Sequence, residues 1–435
     1  MKNIKSKLLY LVVTVFTLFS LLPYQTIQAT VKKTTIKSIE VKSTKAKSDT
    51  TYNNVIGRAE TDKFIMILRE NKKGKTVLQF SEDGKVYKDI DIISIIKNKF
   101  KTDSDEIIFH DFGSFDNKIV YITGRIEDGF DYYNFLLTTK DGSKWTSSKL
   151  ECTYGCGFEV GYIYKLGSTY VYTVREGEPM GGGLDSKAPY WISKDLKEWE
   201  MMTTPKNDRG IALGVMWSLV GVGDKSMVIA ALDEDLNPYQ LYYTTDLKTF
   251  NKITKGINND DSGAKTYFIL NGKALLRREV IFKGDKLHSI QFLMSTNCKT
   301  WKKVIDYKQS NYYSVTTGTG HYSTDKDLII LFEREKDNSL FSYSSKNNSF
   351  TEYSTPIKAS LMGSGVYSDK YSYMVYDSKY ILVSNDNFVT AYKIKTPLKN
   401  IDKLTVWNNI LMIHGENNYY IKESDIEKAI KALKK

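Results

Sequence analysis

Thr139-Lys140-Asp141-Gly142-Ser143-Lys144-Trp145 reads as a tight reversal between two strands. A hydroxyl two residues before an aspartate, a glycine just after it and a large aromatic three residues further let one strand end, turn and anchor the returning strand. Variants recur at Ser81/Asp83/Tyr87, Ser193/Asp195/Trp199 and Thr244/Asp246/Phe250, and in weaker form at Ser295/Asn297/Trp301, Ser344/Lys346/Phe350 and Ser384/Asp386/Phe388. The unit repeats roughly every fifty residues, the length of one four-stranded propeller blade.

Alternating or aromatic-rich runs precede these turns, as in residues 132–137, 239–243 and 339–343. Further upstream in each repeat, a polar turn leads into an apolar stretch, such as Asp62-Lys63 before Phe64 and Asp369-Lys370 before Tyr371. These runs supply the inner strands. The pattern predicts an all-β propeller of four-stranded blades, with eight blades preferred and seven as the alternative. Residues 34–41 alternate like a strand and lie outside the first repeat, so they are expected to close the ring by completing the last blade. The tail after residue 422 has helical spacing, with Ser424 as the cap and Glu427 three residues on.

Lys2, Lys5 and Lys7, the apolar run 8–22 and Ala29 read as a secretory signal peptide, with cleavage after Ala29. The expected organisation is a signal peptide at 1–29, one propeller domain at 30–422 and a C-terminal helix at 423–435. The apolar run falls short of the roughly 20 residues that a spanning helix needs, so the mature chain is expected outside the cell as a monomer without a membrane span, free or associated with the cell surface. Its formal charge of +11 falls by the three leader lysines and stays positive. Scattered lysines suit loose attraction to anionic polymers better than a nucleic-acid groove. The expected partners are accordingly a glycan, a wall polyanion or a surface protein, and no nucleic acid. Cys152 and Cys156 are spaced for a small disulfide loop, and Cys298 is left over.

The turn unit resembles the Asp box of bacterial neuraminidase repeat proteins, with Thr139, Asp141, Gly142 and Trp145 in the matching roles, although the copies here are one residue shorter before the aromatic. The resemblance implies an exported, sialidase-like propeller in which Asp83, Asp141, Asp195, Asp246, Trp145, Trp199, Phe250 and Trp301 are structural turn residues, on the face away from the ligand. It also implies what a sialidase would need: three arginines on a substrate carboxylate, a tyrosine–glutamate pair, an acidic proton donor and an early Arg-Ile-Pro. Arg-Ile-Pro is absent, and among 31 tyrosines no catalytic one stands out.

The C-terminal ends of the second strands carry charge on the opposite face. The candidate ligand residues are Arg125 with Glu127, Arg175 with Glu176, Arg278 with Glu279, and Arg334. Arg58 with Glu60, on the first inner strand, joins them. Arginine suits forked recognition of carboxylate-like groups, whereas solvated rim pairing is the bland reading. No metal or cofactor is expected, because the four histidines lack ligand-spaced partners and the calcium-like run at Asp233 has Pro238 where glycine is required. The glycine-rich insertion 176–189 is either a flexible cover for a ligand or a tolerated loop. The sequence therefore favours a non-catalytic binding propeller, with a sialidase-like hydrolase or lyase as the alternative.

Overall fold

The computed structural model of the chain describes residues 32–48, 52–71, 74–128, 131–150, 158–176, 189–205, 219–222, 227–232, 238–253, 265–270, 274–283, 286–296, 300–308, 319–323, 328–333, 338–344 and 349–433. Each repeat folds as an antiparallel sheet with its strands side by side in chain order. The first sheet consists of Tyr52–Glu60, Ile65–Asn71, Thr76–Ser81 and Val86–Ile90, and the second of Glu106–Phe115, Ile119–Asp128, Asp131–Thr139 and Trp145–Leu150. Successive sheets begin at Phe158–Leu166, Leu219–Val222, Lys265–Leu270, Thr319–Ser323 and Met362–Tyr367, and the last holds Lys403–Trp407, Ile410–His414 and Tyr419–Lys422.

The first strand of each sheet contacts the first strand of the next. The ring closes where Trp407 Nε1 donates to the Thr61 carbonyl at 2.7 Å. Strand pleating turns alternate residues toward opposite neighbours. Met66 and Leu68 thus pack with Val120 and Ile122 of the second sheet, while Ile65 and Ile67 pack with Trp407 and Met412 of the last. Burying each such side chain contributes about 1.5–3 kcal/mol.

The repeated turn has one geometry. Asp141 Oδ1 accepts from the Ser143 and Lys144 amides at 2.9 and 2.8 Å, and Thr139 Oγ1 accepts from the Gly142 amide at 2.9 Å. Asp83, Asp195 and Asp246 repeat the arrangement. These donors, Lys144 N–H foremost, hold the Asp141 carboxyl down at about 2. The residue after the aspartate has positive φ, 76° at Gly142 and 66° at Leu196. It also points into the preceding sheet: a Cβ on Gly142 would lie 2.4 Å from Phe80, and Leu196 is buried beside Leu136 and Leu150. The turn therefore staples neighbouring sheets as well as reversing the chain.

The expectation of uniform four-stranded blades, eight or seven in number and closed by residues 34–41, is corrected in strand count and in closure. Among the described residues, five sheets have four strands and three have five. The extra strands come from an N-terminal strap. Lys32–Lys33 and Thr35–Ile39 add in parallel to the sixth and seventh sheets, and Lys47–Ser48 adds in parallel to the first. Thr44–Lys45, rather than residues 34–41, completes the last sheet, antiparallel to Tyr419–Lys422. Alternation identifies a strand but not the edge it chooses; the edge was decided by Ile39, which packs against the seventh and last sheets.

Among the described residues, two α-helices accompany the sheets. Ile92–Phe100, absent from the sequence reading, is capped by Asp91 accepting from the Ser94 amide and buries Ile92 and Ile96. The C-terminal helix runs Glu423–Ala432 with Lys422 at the N-cap and no side-chain cap bond, so Ser424 lies inside it and does not cap it. Its first residue, Glu423, is buried and accepts from Tyr373 Oη at 2.6 Å.

Candidate binding site at the channel mouth

The innermost strands of the seventh, last, first and second sheets end around a polar cavity of about 510 Å³. Its rim is made by the turns after those strands. Thr61-Asp62-Lys63-Phe64 and Ser368-Asp369-Lys370-Tyr371 share one design, in which the hydroxyl accepts from the amides two and three residues on. Both designs leave the aspartate exposed. The other rim turns are two-residue reversals with positive φ, at Asp116-Asn117 and Asn408-Asn409. That conformation favours asparagine and so places amide side chains on the rim. Tyr367 adds an aromatic surface that is 41% exposed.

Arg58 and Glu60 stand on the inner wall of this cavity. Burial raises the Glu60 carboxyl pKa, against the opposing pull of Arg58. Arg58 also lines a second cavity of about 330 Å³ deeper in the channel wall, with Ile56, His110, Asp111 and Lys403. Bulges in both contributing inner strands leave Ile56 and His110 as the extra residues, a device that re-aims side chains. Arg58 Nη1 donates to Thr405 Oγ1 at 3.0 Å, and Lys403 Nζ donates to the Ile56 carbonyl at 3.3 Å. Burial, and then Arg58, hold the Lys403 pKa below its ordinary value. Burial, and then Arg125, bring His110 to about 4. Asp111 is raised by burial although it accepts from Tyr121 Oη at 3.1 Å and the Phe112 amide at 2.9 Å.

The remaining sequence candidates do not gather there. Arg125 pairs with Glu127 on its own strand. Glu279 is buried and pairs with Arg277 at 2.7 Å. Residues 277 and 279 share one face of the strand, and Arg278 lies between them in the pleat. The register also separates charges that look equivalent in sequence. Ile65, Val120, Tyr170 and Leu275 all pair with the turn hydroxyl residue, so Arg69 corresponds in position to Gly124, Val174 and Glu279. Arg69 itself is fully buried, donating to Asn418 Oδ1 at 2.8 Å and the Gly415 carbonyl at 2.5 Å.

The side chains of Arg175, Glu176 and Arg278 lie outside the described residues, as do Arg334, Cys152, Cys156 and the insertion 177–188. Sequence reading missed His110, Asp111, Tyr367 and Lys403. The matched Asp62-Lys63 and Asp369-Lys370 turns were its available signal for the rim. In an antiparallel sheet the first and third turns share an end, so this cavity opens on the face that carries the repeated aspartate turns. Among the described residues no group of three His, Cys, Asp or Glu side chains is placed to hold a metal, and no helix is long and apolar enough to cross a membrane.

No family model and no curated protein sequence matches the chain. Solved structures do. The computationally designed Ika8 protein superposes with a TM-score of 0.50 at 10% identity, over 89% of this chain and 99% of its own. The uncharacterized protein lmo1340 from Listeria monocytogenes EGD-e gives 0.49 at 10% identity, over 83% and 99%. YCF48 bound to D1 peptide gives 0.45 at 12% identity, over 89% and 98%. Identities this low speak to architecture alone; the ring of sheets described above makes the chain a β-propeller.

Proposed function

We propose that this is an exported, non-catalytic binding propeller of the Asp-box kind, and that its channel mouth takes a glycan segment of a polymer. The observation that carries the reading is the rim itself. The exposed Tyr367 ring stands beside Asn117, Asn408, Asn409, Asp62 and Asp369 around one open cavity of about 510 Å³. Sugar rings present hydroxyls and apolar faces, which amide and carboxylate groups bond and an aromatic ring stacks against. The repeated turn geometry supports the Asp-box kinship, and the lysine-rich leader with its apolar run supports export.

Against a sialidase-like hydrolase stands the state of Tyr121, which donates to Asp111 of the second cavity. Tyr121 is buried, and burial and then Asp111 push its phenol pKa upward, the opposite of what an activated nucleophile needs. A glycan array should retain the wild type, and Tyr367→Ala and Asn409→Ala should lose that retention. A chromogenic glycoside panel should give no turnover; release of product there, or retention unchanged in both variants, would sink the reading.

A further inference from the structure

The turn of the third repeat, Ser193/Asp195/Trp199, keeps the hydrogen bonds of its copies but not the burial of its aromatic. Trp145 and Trp301 are 6% and 8% exposed, and Trp145 packs with Ile92 and Ile96 of the helix Ile92–Phe100. Trp199 is only partly buried and lines an open cavity of about 460 Å³. We infer that this cavity is a second saccharide subsite, in which Trp199 stacks against a sugar ring of the same polymer that the mouth holds. The inference deepens the binding reading above and rests on it.

Trp199 Nε1 is buried and finds no acceptor among the described residues, so the indole offers the cavity carbon, the apolar surface that the C–H face of a sugar stacks against. The ring is set before any ligand arrives. It packs with the cluster between the second and third sheets and stands edge-on to the fully buried Tyr172, at 6.5 Å between centroids and 75° between planes. A platform already fixed loses little entropy on binding. Polar groups border it. Asp195 Oδ1 accepts from the Lys197 and Glu198 amides at 2.8 and 3.0 Å, and these donors, Lys197 N–H foremost, hold the carboxyl below its usual range. Asp195 is therefore an ionised acceptor held in place. Glu198 and Glu200 are exposed beside it, and the Thr169 hydroxyl accepts from Lys194 Nζ. An apolar wall bordered by a few placed polar groups, in a volume of small-ligand size, suits a sugar unit. Thr169 follows the first turn of the third sheet and Asp195 lies in its third turn, so the cavity shares the face on which the channel mouth opens. The third sheet also adjoins the second, whose Asn117 turn forms part of the rim. One polymer can thus occupy both stations, and binding at one raises the effective concentration at the other.

Chitohexaose and cellohexaose, titrated into the full chain and followed by calorimetry and tryptophan fluorescence, test the subsite. Saturable binding of at least one is expected, weakened by roughly tenfold in Trp199→Ala and by less in Trp199→Phe. Phe250 stands at this place in the fourth repeat, so the Phe variant keeps the returning strand anchored. Tyr367→Ala, too weak for array retention, should keep the part of the fluorescence change that Trp199→Phe removes. No saturable binding of either hexasaccharide, or wild-type affinity in Trp199→Ala with wild-type circular dichroism, overturns the proposal. The two readings fail separately. Hexasaccharide binding lost in Tyr367→Ala but indifferent to Trp199→Phe and Trp199→Ala keeps the mouth and removes the subsite, while binding through Trp199 that ignores Tyr367→Ala does the reverse.

Discussion

The junction between the first and second sheets and the seam between the first and last sheets do the same mechanical work with different chemistry. The former has an apolar core, with Phe64, Met66 and Leu68 against Val120, Ile122, Phe135 and Trp145. The latter carries, besides its apolar cluster, a buried chain of hydrogen bonds. Arg69 and Gln79 reach Asn418, Asn418 reaches His414, and His414 reaches Thr405, which also accepts from Arg58. Apolar packing tolerates sliding and exchange, whereas a bonded network is satisfied in one register only. Where the two chain ends must meet without a covalent connection, the polar device specifies the match. Substitutions should separate the two. Arg69→Ala, which removes a buried charge and strands the Asn418 and Gly415 acceptors, should cost about 3–5 kcal/mol, and Arg69→Met most of that. The double variant with Asn418→Leu should recover part of the loss. Met66→Leu at the apolar junction should cost less than about 1.5 kcal/mol. Denaturant midpoints at unchanged m-value measure all four, and equal costs for Arg69→Met and Met66→Leu would erase the distinction.

Acid should find the seam before it finds the apolar junction. Asn418 Oδ1 can only accept, so the His414 Nδ1 proton is donated to it, and Nε2 accepts from the Thr405 hydroxyl. The ring is thus neutral. Burial is the chief cause that holds its pKa at about 3, with Arg69, Arg58 and Lys403 adding to it against the bond donated to Asn418. Unfolded histidine takes up its proton near pH 6.5. The unfolded state therefore binds more protons between about 6.5 and 3, and stability falls as pH drops through that window, by at most about 1.4 kcal/mol per pH unit. His110, held near 4, adds in the same direction over a narrower span. Denaturation midpoints from pH 7.5 to 4 should show a slope that His414→Gln flattens. An unaltered slope would place the acid sensitivity elsewhere.

The strands and turns were legible in the sequence because each depends on local chemistry. Alternation, an Asp-Gly or Asp-Leu turn and a following aromatic say where the chain reverses, and the strands Phe158–Leu166 and Asp131–Thr139 lie where such signals put them. Partner choice was not legible. The alternating run beside Ile39 was assigned to the last sheet but lies on the seventh, since every open edge offers the same backbone bonds. The helix Ile92–Phe100 hid inside an apolar run between repeats, although Asp91 and Ser94 were there to be read as its cap. At the site, neighbouring charges in sequence suggested Arg278 with Glu279, whereas the pleat pairs Arg277 with Glu279. Lys403 meets Arg58 only through ring closure, a contact across 345 positions that no local pattern signals.

The strap sharpens the comparison at lower energy, because it crosses the seam on the outside. Ala46, between its last two strands, is buried with Trp407 and Tyr87. At its start, Thr34 Oγ1 donates to Thr355 Oγ1 at 2.6 Å in a buried site. Thr34→Val should cost about 1 kcal/mol. Its distinguishing sign is local: cleavage within residues 32–48 by a protease should accelerate while the seam holds. Faster cleavage across the whole chain instead would make the strap part of the global unfolding unit.

The smallest effect on stability should come from the rim, and there the comparison turns from strength to purpose. Tyr367 is exposed, and substitution at such a surface position usually stays within about 0.5 kcal/mol. Tyr367→Ala should therefore leave the denaturation midpoint nearly unchanged while it abolishes glycan retention. The seam shows the inverse pattern, since Asn418→Ala should unfold the protein more readily but, below its melting temperature, leave the rim turns at Asp62 and Asp369 intact and able to bind. Parallel measurement of midpoint and retention in these two variants separates structural polarity from recognition. If both variants lose stability and binding together, rim and seam form one cooperative unit, and the channel mouth cannot be treated as a site resting on an independent frame.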